Sequence, residues 1–138
     1  MISSELYNIF LKCNGISTDT RNIQKDSLFF SLKGENFDGN DYALDALNKG
    51  AKFAVIDNKN LSNPKFICVD NALVSLQKLS SFHRLKLKNT KIIAITGSNG
   101  KTTTKELIHS VLCKKYKTIS TIGNLNNHIG VPLTLLSI

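Results

Sequence analysis

The segment from Ile92 to Leu112 constrains this chain more than any other. Ile92-Ile93-Ala94-Ile95 is apolar throughout, Thr96-Gly97-Ser98-Asn99-Gly100 is a glycine loop, and Lys101-Thr102-Thr103-Thr104 opens a run with Leu107, Ile108, Val111 and Leu112 on one face. A short apolar run reads as a buried strand and the later spacing as an amphipathic helix, so the glycines sit between a strand and a helix start. Glycine lets the backbone turn tightly and come close to an anion. The amides of such a loop and of the helix N-terminus then point at phosphate oxygens. Lys101 is placed to put its cation on the β- and γ-phosphates of a nucleotide, and the Thr102 hydroxyl to reach Mg²⁺. The general phosphate loop, GxxxxGK[ST], would need glycine where Ile95 stands. The form here is shorter, Thr-Gly-x-x-Gly-Lys-Thr, and an ordinary glycine turn with an exposed lysine is the alternative reading.

Around that segment the chain alternates short strands and helices, which points to an α/β layer architecture. Leu6, Ile9, Phe10 and Cys13, with Ile2 ahead of them, recur at helical spacing, and Asn14-Gly15 closes that helix. Strands are expected at 16–18, 28–31, 53–56 and 66–69. A helix capped by Asp41 and closed by Gly50 separates the second from the third. Asp70 or Asn71 is expected to cap a long helix bearing Leu73, Leu76, Leu79, Phe82 and Leu85. Lys86-Leu87-Lys88-Asn89-Thr90 is the best boundary, dividing the chain into 1–87 and 88–138. Beyond it the expected order is a strand at 91–95, the glycine loop, a helix at 102–115, a strand at 118–121, an Asn-rich loop and a helix from Pro132. Two strands make too little of a parallel sheet to be covered on both faces, so the second unit reads as truncated.

Charge and cysteine usage narrow the partners. The 138 residues carry a net charge of +8. Residues 1–90 hold 12 basic and 9 acidic residues, whereas 91–138 hold 6 lysines and one carboxylate, Glu106. The excess favours anionic partners and is concentrated around the glycine loop. A single-strand nucleic-acid binder would interleave aromatics with its basic residues, and this chain does not. Cys13, Cys68 and Cys113 are far apart and odd in number, which fits a reducing compartment and argues against a zinc site or disulfide frame. Their apolar neighbours predict buried thiols. No signal peptide or apolar run of membrane-spanning length is present, so the expectation is a cytoplasmic protein without membrane insertion. His83 and His109 fall on helix patterns and read as packing or surface residues.

Thr96-Gly97-Ser98-Asn99-Gly100-Lys101-Thr102-Thr103 resembles the ATP loop of the Mur ligases. Thr18-Asp19-Thr20-Arg21 resembles the [ST]-D-[ST]-R motif of their UDP-binding first domain. Leu28 to Tyr42, containing Lys33-Gly34-Glu35-Asn36-Phe37-Asp38-Gly39-Asn40, resembles the signature that follows it. Two kinds of Mur ligase carry such a first domain: one adds the third peptide residue, lysine or diaminopimelate, and the other adds D-alanyl-D-alanine. Thr103-Thr104-Lys105-Glu106 and Gly123-Asn124-Leu125-Asn126-Asn127-His128-Ile129-Gly130-Val131-Pro132 are more similar to the dipeptide-adding kind.

That resemblance implies a small UDP-binding α/β domain at 1–87, followed at 88–138 by the truncated start of a phosphate-loop, parallel-sheet ATP-binding domain. It implies an ATP-dependent amide ligase of peptidoglycan precursor synthesis, with ATP and Mg²⁺ as cofactors. The implied substrates are UDP-N-acetylmuramoyl-tripeptide and D-alanyl-D-alanine, joined through an acyl phosphate, in a monomer that does not bind nucleic acid. Lys101 and Thr102 are the implied catalytic pair, with Thr102 on the metal. Gly97, Ser98, Asn99, Gly100, Lys101, Thr102 and Thr103 are the implied nucleotide cradle, and Thr20, Arg21, Asn40, Asn127 and His128 the implied substrate contacts. Asn40 stands where the family usually has His, and Arg21 has an alternative role as partner of Asp19, Asp26 or Asp38. The Asn-rich segment could equally be a plain turn, since Asn suits turns on its own account. The family's further metal ligands, carbamylated lysine and closing third domain fall outside these motifs, so residues 1–138 alone are expected not to ligate. The sister ligase and a non-catalytic nucleotide-binding module are the alternatives.

Overall fold

The computed structural model describes residues 3–123 and 125–138. Ile2, expected in the first helix, and Asn124, of the Asn-rich loop, lie outside the described residues. The order is α1 (Ser3–Phe10), β1 (Ile16–Ser17), β2 (Leu28–Phe30), α2 (Ala43–Asn48), β3 (Phe53–Ile56), β4 (Phe66–Cys68), α3 (Ala72–Lys86), α4 (Lys101–Leu112) and α5 (Gly130–Leu136). Short 3₁₀ turns at Thr20–Asn22 and Gly39–Tyr42 follow β1 and precede α2.

The four strands form one parallel sheet in the order β1-β2-β3-β4, with Leu28 beside Phe53 and Ala54 beside Phe66. Successive side chains on a strand point to opposite faces, and both faces here are buried. Leu28, Phe30, Val55 and Ile67 pack with Leu6 and Phe10 of α1 and Leu76 and Leu79 of α3. Phe29, Ala54 and Ile56 face the other way, against Ala43 and Ala46 of α2. The small alanines let α2 approach the sheet closely. The mixed α/β class with a parallel sheet is as expected, and the four strands fall at the expected places, each within a residue or two.

The sequence reading departs from the structure in five places. The segments 91–95 and 118–121 are not strands. A strand exists through its ladder, and among the described residues neither segment has one; Ile92 is 41% and Ile93 60% exposed. Asp41 does not cap a helix: Asp38 accepts a hydrogen bond from the Asn40 amide and starts the 3₁₀ turn instead. The helix expected from Pro132 begins at Gly130 and packs on α3, carrying Leu136 into the first core. Cys68 and Cys113 are exposed and only Cys13 is partly buried. Cys68 lies on the edge strand β4 and Cys113 at the end of α4, where apolar neighbours in sequence are not neighbours in space. The helix expected at 102–115 starts one residue earlier and ends at Leu112.

α1 and α3 meet through aromatic rings and one histidine. The ring of Tyr7 stands edge-on to Phe82 at 5.0 Å, and that of Phe10 edge-on to His83 at 5.4 Å. The His83 Nδ1 is 3.2 Å from the Tyr7 hydroxyl, while its Nε2 is buried with no partner among the described residues. Burial pushes the His83 pKa below its ordinary value, because the imidazolium would lose its hydration there.

Two predictions follow from this packing. The folded state favours neutral His83, so its contribution is complete above the unfolded pKa of about 6.5 and is lost as pH falls towards the lower folded value. The urea midpoint should therefore decrease as pH is lowered from about 7 through the unfolded value of about 6.5, and His83→Gln should flatten that dependence. At Gly39 an added Cβ would lie against the Leu32 carbonyl oxygen and 2.7 Å from the Leu32 nitrogen, both backbone. Gly39→Ala should cost about 1–3 kcal/mol, the range for overpacking, read by urea denaturation.

Candidate functional site

Parallel strands deliver their carboxyl ends to one edge, where open α/β folds bind ligands. Thr20 and Arg21 follow β1, Lys33 to Asn40 follow β2, and Asp57 follows β3, so topology gathers these residues at one edge. Arg21 is 89% exposed and donates to Asp19 through Nε and Nη2, at 2.6–3.0 Å. The Arg21 side chain, then its backbone amide, hold the Asp19 carboxyl down to about 2. Of the two roles open to Arg21, the pair with Asp19 is the one present. An exposed pair of this kind exchanges readily with solvent and can open to a ligand.

Asn40 differs from its expected role. Its side chain is buried, and its Nδ2 donates to Asp38 at 2.6 Å and to Asp57 at 2.8 Å. Its Oδ1 accepts from the amides of Asp57 and Asn58. Both amide hydrogens and both acceptor positions are thus engaged within the chain. Asn40 fixes the shape of the edge rather than offering a free group to a ligand.

The hub of this edge is Asp57, which the sequence reading did not single out. It accepts from Asn40 and from the Ala72 amide at the start of α3, and pairs with Lys33 at 3.3 Å. Burial pushes its carboxyl up, but these donors outweigh burial and hold it below the ordinary carboxylate range. Lys33 also reaches Asp38 at 3.5 Å, and its pKa is raised, first by Asp57. A carboxylate directly after the apolar run 53–56 was the available signal.

The glycine loop has the geometry its sequence implies at the helix start. Gly97 and Gly100 have φ of 151° and 75°, conformations that side chains disfavour. Gly100 is the N-cap of α4, and the Thr104 amide bonds to its carbonyl at 2.9 Å. The amides of Lys101, Thr102 and Thr103 precede the first helical hydrogen bond and remain for another acceptor. Lys101 folds back over the loop, donating to the carbonyls of Gly97 and, at 3.2 Å, Ser98. Its ammonium therefore lies at the mouth of the turn. Thr102 and Thr103 are exposed beside it, and Ser98 and Asn99 form the exposed bend between the glycines.

The Asn-rich loop folds around a side chain. Asn127 Oδ1 accepts from the amides of Ile129 and Gly130, at 3.1 and 2.8 Å, in the turn just ahead of α5. A Cβ on Gly130 would lie 2.6 Å from the Leu125 carbonyl oxygen, so this close approach needs glycine. The His128 ring is exposed, while its carbonyl accepts from Gln77 of α3 at 3.1 Å. Lys105, a second residue the sequence reading did not select, ties the start of this loop to α4: its Nζ donates to the carbonyls of Thr121 at 2.5 Å and Gly123 at 3.1 Å.

Among the described residues no three His, Cys, Asp or Glu side chains come together as a metal cluster, and no helix is long and apolar enough to cross a membrane. The start of α4 nevertheless brings together the first amides of the helix, the Lys101 ammonium and the exposed hydroxyls of Thr102 and Thr103.

Comparison with known proteins accounts for both halves. The family described as "Mur ligase family, catalytic domain" matches residues 12–84, and "Mur ligase middle domain" matches 95–138. The UDP-N-acetylmuramoyl-tripeptide–D-alanyl-D-alanine ligase of Bacillus subtilis is 44% identical over 128 residues, covering 90% of this chain and 28% of that protein. The Escherichia coli ligase of the same name is 36% identical over 99% of this chain and 30% of its own length. Among solved structures, MurF from Acinetobacter baumannii superposes with a TM-score of 0.84 at 31% identity, over 99% of this chain and 32% of that one. MurF ligase from Thermotoga maritima, solved in complex with ADP, gives 0.78 at 30% identity, over 92% and 29%. The chain thus spans just under a third of the length of these relatives. With a match across more than half its residues and a second across the glycine loop, the chain belongs to the Mur ligase family.

Proposed function

We propose that these residues serve an ATP-dependent ligase that adds D-alanyl-D-alanine to UDP-N-acetylmuramoyl-tripeptide. Residues 1–87 would bind the UDP end, and residues 88–138 would open the ATP-binding domain. The observation that carries this reading is the start of α4: a left-handed Gly100, three unpaired amides and the Lys101 ammonium at one point, in a chain similar throughout to dipeptide-adding ligases.

In this reading Lys101 leaves the carbonyls of Gly97 and Ser98 for the β- and γ-phosphates of ATP. The amides from Gly97 to Thr103 hold the remaining phosphate oxygens. The Thr102 hydroxyl would be this segment's ligand to Mg²⁺, which would add charge neutralisation when bound. The C-terminal carboxylate of the tripeptide takes the γ-phosphoryl group, giving an acyl phosphate and ADP. The amino group of D-alanyl-D-alanine then forms the amide and releases phosphate. The chain's own contribution is positioning and charge stabilisation around the moving phosphoryl group. Thr20 and Arg21 line the UDP pocket, with Arg21 released from Asp19. Asn40 supports that pocket through Asp38 and Asp57. Asn127 and His128 face the muramoyl-peptide end.

The test is phosphate release by the complete ligase containing these residues, supplied with UDP-N-acetylmuramoyl-tripeptide, ATP and Mg²⁺. D-Alanyl-D-alanine should sustain turnover; turnover only with free lysine or diaminopimelate and the corresponding dipeptide acceptor would assign the chain to the sister ligase. Lys101→Ala should lower kcat by roughly 10²–10³, the usual loss when one charge-stabilising donor is removed. Gly100→Ala should weaken ADP binding, because its left-handed conformation costs an L-residue about 1–2 kcal/mol.

A further inference from the structure

The phosphate loop and the Asn-rich loop are separated by α4 and by the segment 113–123, which forms no ladder among the described residues. Their relative placement therefore needs another cause. The contacts near that segment are local: the Leu125 amide bonds to the Ile122 carbonyl, and the Thr118 hydroxyl to the Tyr116 carbonyl. Among the described residues, the hydrogen bonds that tie this segment to a distant element come from one group, the Lys105 ammonium. It donates to the carbonyls of Thr121 and Gly123 and pairs with Glu106 at 2.8 Å, and its side chain is 14% exposed. An ammonium has three donors, and three acceptors surround this one.

Lys105 also lies one turn beyond Lys101 on α4, so both share a helix face. The first ammonium covers the phosphate loop, and the second holds the turn that leads into Asn126, Asn127 and His128. The far end of that loop is fixed independently, by Asn127 Oδ1 on the Ile129 and Gly130 amides and by Gln77 on the His128 carbonyl. The loop is slung between α4 and α3, and Lys105 is its anchor on the nucleotide side.

We propose that Lys105 is a positioning residue that sets the Asn-rich loop at a fixed distance from the phosphate loop, and thereby aligns the acceptor carboxylate with the γ-phosphate. The inference rests on the ligase reading given above. It assigns Lys105 no contact with either substrate: it acts through the backbone of 121–123 on Asn127 and His128. Methionine keeps the length of the stem and removes the three donors. Arginine keeps the charge and can still donate to both carbonyls.

The test compares wild type, Lys105→Met and Lys105→Arg in the complete ligase. Lys105→Met should raise the KM for UDP-N-acetylmuramoyl-tripeptide by about tenfold, as expected for losing hydrogen bonds from a charged donor, and leave the KM for ATP unchanged. Lys105→Arg should restore most of the loss. Amide hydrogen exchange should quicken across 118–123 in Lys105→Met and stay unchanged in α4 and in β2–β3. Equal rises in both KM values, or faster exchange throughout α4, would reduce Lys105 to a helix-stabilising residue and overturn the proposal. Unchanged kinetics with unchanged exchange would overturn it as well. If wild type itself fails to ligate, the ligase reading falls, while the exchange measurement still decides whether Lys105 holds the segment.

Discussion

Burial of both faces of β2 and β3 is the constraint from which the rest of the first unit follows. Leu28, Phe29 and Phe30 are all removed from solvent, as are Ala54, Val55 and Ile56. Such strands satisfy their backbone only through neighbours on both sides, so they must be interior strands with helices above and below. That requirement places α1 and α3 on one face and α2 on the other. It also drives every polar residue of these segments to the strand ends. The clustering of Asp19, Arg21, Lys33, Asp38, Asn40 and Asp57 at the carboxyl edge is a consequence of what the strands cannot hold.

At that edge, charge is balanced within the chain. Asp57 is held ionised by Asn40, the Ala72 amide and Lys33, so one carboxylate joins the ends of β2 and β3 to the start of α3. Leaving any of these donors unpaired would cost the desolvation of a partly buried group, which makes the network rigid. The Arg21–Asp19 pair is instead exposed and local in sequence, outside that network.

The half that carries the glycine loop works by a different principle. Its organisation comes from one helix start, where two glycine conformations turn the chain and three amides are left over. Two lysines a turn apart then extend the influence of α4 in both directions, Lys101 over the phosphate loop and Lys105 to the turn before the Asn-rich loop. The basic excess of residues 91–138 is thus partly structural: one of its six lysines is spent on backbone carbonyls between segments.

What the sequence determined by itself was local. The alternation of strand and helix, the four strands of the first unit, a cap for α3 at Asp70 or Asn71, and the glycine loop with its helix beginning beside Lys101 all rest on spacing and on conformations a few residues specify. What only the tertiary structure decided was non-local. The segments 91–95 and 118–121 have strand composition, yet a ladder depends on a partner strand that their own residues do not encode. Helix α5 is apolar along nearly its whole length, but its choice of α3 as a partner is made only in the folded chain. The family resemblance offered Asn40 as a ligand contact; its engagement by Asp57, 17 residues away, appears only when β2 and β3 lie side by side. Lys105 was one basic residue among several until folding brought two carbonyls, 16 and 18 residues distant, within reach of its ammonium. Short-range geometry is written in residue type and spacing, whereas a hydrogen bond across such separations is set by where packing has already placed the backbone.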